Sequence, residues 1–196
     1  MEYIEKLTLV KYFNEQEIAF INRAYEFAKQ VHAQHVRKSG EPYITHPVEV
    51  AYILLEELGP SLGISITAAA VAAALLHDVV EDGDVTMDEI GALFWEDRMF
   101  AEQVIRYVDI LTKKDIEHYF RLHHKFINKL LILPILKSKY KKLLKNALKP
   151  DQLGEYYMNI AEELMTVLIK YADKIHNHRT AQQIARTKRL ERVFET

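Results

Sequence analysis

Apolar residues recur along this chain every three or four positions, the spacing of a helix, and nowhere alternate for long enough to predict a strand. Ile18, Ile21, Tyr25, Ala28 and Val31 place a first helix over positions 18–36. The segment RKSGEPYITHP then reads as a loop, punctuated by Gly40, Pro42 and Pro47. Pro47 suits the first turn of a second helix, where its missing N–H costs nothing. Val48, Ala51, Tyr52, Leu55 and Leu58 form the stripe of that helix, and Gly59, Pro60 and Gly63 predict a break after it. Positions 66–80 are apolar almost all round, the mark of a helix buried on several sides, and they run into HDVVED. Thr86 with Glu89 three residues on has the pattern of a capping box, and a further helix is predicted over 99–111. Positions 155–179 form a long helix whose buried stripe is Ile160, Leu164, Val167, Leu168 and Tyr171. Positions 180–196 read as a polar helix or a fraying tail.

These elements predict an all-α fold, a helical bundle in one domain spanning 1–196. Positions 113–150 stand apart within it. They carry His118, His123, His124, Pro134 and the lysine-rich run KSKYKKLLKNALK, and read as a helical insertion whose lysines form a solvated face.

Composition narrows the function classes. A formal net charge of −2 gives no global attraction to nucleic acid or to an anionic membrane. With no cysteine, disulfides, cysteine-ligated zinc and a thiol nucleophile are excluded. No window approaches the ~18 apolar residues of a membrane span, and the charged N-terminus lacks a signal-peptide core. A cytoplasmic protein without nucleic-acid or membrane partners is expected.

Three segments carry candidate chemistry. His77 and Asp78 follow directly on the apolar run AAAVAAALL, where a charged side chain needs a partner and a cation is a good one. Imidazole and carboxylate together suit manganese, iron, zinc or a similar divalent ion. Glu81 and Asp82 come next, in helical register with His77 and Asp78, an arrangement that can tune an acid–base pair. A solvated helix end would show the same residues. In YADKIHNHRT, Asp173, Asn177 and Thr180 share one helix face; a ligand followed by substrate hydrogen-bonders and a helix cap with an exposed tail both fit. In RKSGEPYITHP, His46 precedes a helix start, and Arg37, Lys38, Ser39 and Gly40 form either an anion-binding loop or a solvated basic turn.

Taken together and in order, RKSGEPYITHP, AALLHDVVEDGDVT, VDILTKK and LIKYADKIHNHRT resemble the hydrolase domain of the RelA/SpoT-homologue family, the alarmone-hydrolysing branch of the HD metal-dependent phosphohydrolase superfamily. The resemblance covers roughly positions 24–180 apart from the insertion. It implies an HD-type helical fold. It implies that His46, His77, Asp78 and Asp173 ligate a divalent ion, usually manganese, and that Glu81 and Asp82 activate and orient the attacking water. It implies that Arg37, Lys38 and Ser39 pack against the base and sugar-phosphate of a guanine nucleotide, with Asn177 and Thr180 lining its pocket. The implied reaction removes the 3′-pyrophosphate of ppGpp or pppGpp, giving GDP or GTP and pyrophosphate, as in the stringent response. Two alternatives are a phosphatase of another 2′- or 3′-phosphorylated nucleotide such as NADPH, and a regulatory module that binds alarmone without turnover.

The chain departs from the family pattern in places. Gly83 stands where a small hydroxyl residue is usual, His178 where an apolar one is, and Tyr156 and Tyr157 where basic residues often face the pyrophosphate ends. Long family members carry a synthetase module after this domain; a stand-alone hydrolase and a piece of a longer protein are both compatible with the sequence. Removal of the ion is expected to leave Asp78 and Asp173 facing each other unpaired and to loosen the fold locally.

Overall fold

The computed structural model describes residues 3–112 and 164–185, and these are helical with no strand among them. The expected insertion, Tyr156, Tyr157, the start of the long helix and the positions beyond 185 lie outside the described residues. Two short 3₁₀ turns, Tyr3–Leu7 and Leu9–Lys11, lead into α1, Glu15–Val31. Asn14 caps α1: its side chain accepts from Glu17 N–H, and the Glu17 carboxylate accepts from Asn14 N–H, each at 3.0 Å.

The first helix stops five residues short of its predicted end because the chain turns back on itself. His35 C=O accepts from Tyr43 N–H at 3.0 Å, Glu41 C=O from Arg37 N–H at 2.9 Å, and Val36 bridges Pro42. Val36 is consequently exposed rather than part of the buried stripe. Gly40, at φ +85°, closes the turn by donating to Arg37 C=O at 2.8 Å, and a Cβ there would meet nothing within 4 Å. Its role is the left-handed backbone, not the close approach of a ligand.

The second predicted helix also differs. It runs as α2, Thr45–Tyr52, then a π-helical turn, Ile53–Leu58, then α3, Gly59–Leu62. Gly59 and Pro60 do not break it; the chain turns at Gly63, φ +62°. A Cβ at Gly59 would stand 2.9 Å from Ile66 Cγ1 and 3.1 Å from Ile64 C=O, so the glycine is there for packing.

The polar-free run becomes α4, Ala68–Leu76, capped by the Thr67 side chain and buried at every position. It packs against α1, α2 and, from further on, α7, Arg98–Thr112. Alanine on so many of its faces lets the neighbouring helices approach closely. The helix does not continue through HDVVED. It ends at Leu76, and a separate turn, α5, Val79–Asp82, starts after Asp78. His77 and Asp78 thus sit on the corner between two helices, held by Asp82 N–H donating to Asp78 C=O at 2.9 Å. The Thr86–Glu89 capping box forms as predicted and opens α6, Met87–Ala92. Finally α8, residues 164–185, brings Met165, Leu168, Ile169 and Ala172 into the same core.

Gly83 has a local reason. A Cβ there would come 2.3 Å from Val31 Cγ1 and 2.9 Å from Val79 C=O, because the end of α1 lies across the corner. The Gly83→Ala variant is expected to lose about 1–3 kcal/mol of stability in urea unfolding, the usual cost of overpacking. An unchanged unfolding midpoint would show that Val31 does not press on this corner.

Candidate metal centre

Three buried polar side chains meet where the α4–α5 corner, the start of α2 and α8 come together. His46 is on α2, His77 at the corner and Asp173 on α8. Their potential ligand atoms all lie within 4.8 Å of one another, so the cluster can hold a metal ion. His46 Nε2 stands 3.4 Å from Asp173 Oδ1. Asp78 completes the ring, with Oδ2 at 3.5 Å from His46 Nε2 and 3.2 Å from His77 Nε2. Ligand atoms about 2.1 Å from a shared divalent ion stand roughly 3.0–4.2 Å apart, from cis to trans. The contacts at 3.2, 3.4 and 3.5 Å fall in that range.

The hydrogen bonding on the outer side of each group orients it. His77 Nδ1 lies 2.8 Å from Ala74 C=O, which can only accept, so Nδ1 carries a proton. His77 Nε2 is buried and has no aligned hydrogen-bond partner, although Asp78 Oδ2 is close. A neutral His77 therefore points a lone pair at carboxylate oxygens. Two lone-pair groups face to face in a dry site need a cation between them, whether a proton or a metal.

The electrostatics follow from that need. Burial alone would lower the His77 imidazole, but Asp78, its neighbour, and Asp173 outweigh it and raise the pKa to about 9. Burial pushes Asp78 up, yet the two imidazoles hold it well below the usual carboxylate range. Asp173 is likewise pushed up by burial but drawn down to about 2 by His46, His77 and Lys170. Neither carboxylate lacks a partner. Tyr43 donates to Asp78 Oδ2 at 2.8 Å, Asn177 donates to Asp173 Oδ1 at 2.5 Å, and Lys170 Nζ lies 3.2 Å from Asp173 Oδ2. The sequence-based expectation of two unpaired, facing acids is corrected accordingly.

Three supporting residues, Tyr43, His32 and His176, went unassigned in the sequence. Burial and the adjacent Asp78 carboxylate push the Tyr43 hydroxyl far up, so it stays a donor; Asp82 adds to the effect. His32, buried at the end of α1, stacks on the Tyr43 ring at 4.5 Å between centroids. Burial lowers its pKa against the pull of Asp78 and Asp82. His176 stacks on His46 at 4.9 Å, its Nδ1 only 2.7 Å from His46 Nδ1. Burial, then His46 and Arg37, lower His176 to about 4 and keep it neutral. A signal was present for two of them: Tyr43 lies three residues before His46, and His176 shares the α8 face of Asp173 and Thr180.

The remaining candidates divide between two adjoining cavities. One, of about 560 Å³, is lined by Arg37, Lys38, Tyr43, His46, Asp78, Asp173, Asn177 and Thr180. That volume lies within the range of small-molecule sites. Arg37 lines it, donating to Asn177 Oδ1 at 3.1 Å with its guanidinium 5.9 Å from the Tyr43 ring centre. Ser39 lines instead the neighbouring cavity of about 710 Å³, which shares Lys38 and Thr180 with the first. Glu81 and Asp82 are exposed on α5 and line neither cavity. His178 is exposed and points away, 2.8 Å from Gln182.

Known proteins place this site in a family. Residues 24–195 match the HD domain. The chain is 31% identical over 195 residues to a Brucella suis protein named GTP pyrophosphokinase rsh, covering 100% of this chain and 21% of that protein. It is 32% identical over 177 residues to a Synechocystis protein named probable guanosine-3′,5′-bis(diphosphate) 3′-pyrophosphohydrolase, covering 90% of this chain and 18% of that protein. The chain thus spans about a fifth of the length of these curated relatives. No described helix is long and apolar enough to cross a membrane. A helical core that delivers His46, His77, Asp78 and Asp173 to one point, in a chain matched along most of its length, makes this protein a member of the HD-domain family.

Proposed function

We propose that this domain is a manganese-dependent hydrolase that removes the 3′-pyrophosphate from guanosine 3′-diphosphate alarmones, converting ppGpp or pppGpp and water to GDP or GTP and pyrophosphate. The observation that carries the reading is the buried, unpartnered Nε2 of His77, facing Asp78 within a ring completed by His46 and Asp173. The name of the Synechocystis relative supports the choice of reaction.

In this reading His46, His77, Asp78 and Asp173 hold the ion, which when bound supplies Lewis-acid activation of water and offsets charge on the attacked phosphate. Tyr43, Asn177 and Lys170 keep the carboxylates oriented. Arg37 stacks on the purine, a task that its flat guanidinium performs better than a lysine ammonium. Lys38 sets positive charge where both cavities meet, within reach of a phosphate. Glu81 and Asp82, exposed on α5, take the proton from the attacking water and return it to the 3′-oxygen that leaves.

Incubation with ppGpp and Mn²⁺ is expected to release pyrophosphate and GDP, with chelator abolishing the reaction. Glu81→Gln and Asp82→Asn are each expected to lower turnover by roughly 10²–10⁴-fold, the usual contribution of acid–base catalysis, with manganese still bound. Orthophosphate from a 2′- or 3′-phosphorylated nucleotide such as NADPH would reassign the substrate. Alarmone binding without turnover would reassign the domain as regulatory.

Metal and pH should act on stability in opposite ways. The proton on His77 is bound more tightly in the folded, metal-free site, at about 9 against an ordinary 6.5. Its stabilisation is therefore complete below pH 6.5 and lost as pH rises through 9. Manganese must displace that proton, so its affinity rises over the same window. At a hundred times its dissociation constant the ion adds about 2.7 kcal/mol. Thermal unfolding with chelator should weaken from pH 7 to 9 while the manganese-induced gain grows. A gain that is absent, or that shrinks with pH, contradicts the assignment.

A further inference from the structure

A ligating imidazole presents a lone pair, so its other nitrogen must carry the proton. For His46 the inward atom is Nε2, beside Asp173 Oδ1 at 3.4 Å and Asp78 Oδ2 at 3.5 Å. Two carboxylates on that side draw a proton onto Nε2, which is the tautomer unable to bind a cation. The outward atom, Nδ1, meets Nδ1 of His176 at 2.7 Å. Two ring nitrogens at that distance share one proton, and something must decide which ring owns it.

The far side of His176 supplies the decision. Thr180 donates its hydroxyl hydrogen to His176 C=O at 3.0 Å, one turn back along α8. With its hydrogen committed, Thr180 Oγ1 can only accept, and it stands 3.4 Å from His176 Nε2. His176 therefore carries its proton on Nε2 and a lone pair on Nδ1. We propose that His176 and Thr180 act as a tautomer-setting pair, holding the proton on His46 Nδ1 and leaving Nε2 free for the ion. His176 is a positioning residue in this scheme, and Thr180 serves the metal centre as well as lining the cavities. The inference rests on the proposed role of His46 as a ligand.

The test is manganese affinity, read as free Mn²⁺ by electron paramagnetic resonance, in the whole protein and three variants. His176→Phe keeps the stacked ring and removes the acceptor; affinity is expected to fall on the order of 10–100-fold, as for other orienting partners of metal ligands. His176→Asn restores an acceptor near Nδ1 and is expected to recover most of that loss, which a purely packing role would not allow. Thr180→Val leaves both rings intact and is expected to weaken affinity in the same direction, so the inference stays open to refutation even if the Phe variant fails to fold. Nitrogen-15 spectra of the zinc-loaded wild-type protein are expected to show His46 protonated at Nδ1. Unchanged affinity in the Phe or Val variant, or a His46 proton found on Nε2, overturns the inference. A wild-type protein that binds no divalent ion overturns instead the metal-centre reading beneath it.

Discussion

Two carboxylates, Asp78 and Asp173, are carried into a largely buried site by helices that have other reasons to pack there, and positive charge must meet them. The need falls on His77, whose Nδ1 is tied to Ala74 and whose Nε2 can only look inward. In the metal-free site a proton on His77 meets it, which is why that imidazole is held to about 9. A divalent ion meets it better, because it satisfies the lone pairs of His46 and His77 and both acids at once. The rest of the fold keeps this competition in place. An apolar α4 delivers the corner that bears His77 and Asp78, and α8 presents Asp173, His176, Asn177 and Thr180 along one face.

The supporting layer is what turns a cluster of donors into a directed site. Tyr43 donates to Asp78 and is braced by the stacked ring of His32. Asn177 links Asp173 to Arg37, so the residue proposed to meet the purine is hydrogen-bonded to a residue that holds an acid of the metal ring. The positions of Arg37 and Asp173 are thereby mechanically joined through Asn177. Lys38 and Thr180 stand where the two cavities meet, which gives an extended, multiply charged ligand room to run from one into the other.

Much of this was legible in the sequence because it is periodic. The all-round apolar run over positions 66–80 gave the central helix, the Thr86–Glu89 pair its cap, and the i, i+4, i+7 spacing of Asp173, Asn177 and Thr180 a shared face. What was not legible depends on contacts between distant segments. Helix α1 ends at Val31 because Tyr43 and Glu41 fold back onto His35 and Arg37. The second helix passes Gly59 because Ile66 packs against it. Tyr43 and His176 acquire roles only when Asp78 and His46 arrive beside them. Glu81 and Asp82 show the same limit: Asp82 N–H donates to Asp78 C=O in helical register, but the corner at Asp78 parts His77 from the turn on which Glu81 and Asp82 are exposed.

The most direct measurement is anomalous diffraction from manganese-loaded crystals, recorded on both sides of the manganese absorption edge. One peak is predicted at bonding distance from Nε2 of His46, Nε2 of His77 and the carboxylates of Asp78 and Asp173. A map with no peak among these four side chains, or with the ion held elsewhere, contradicts the account.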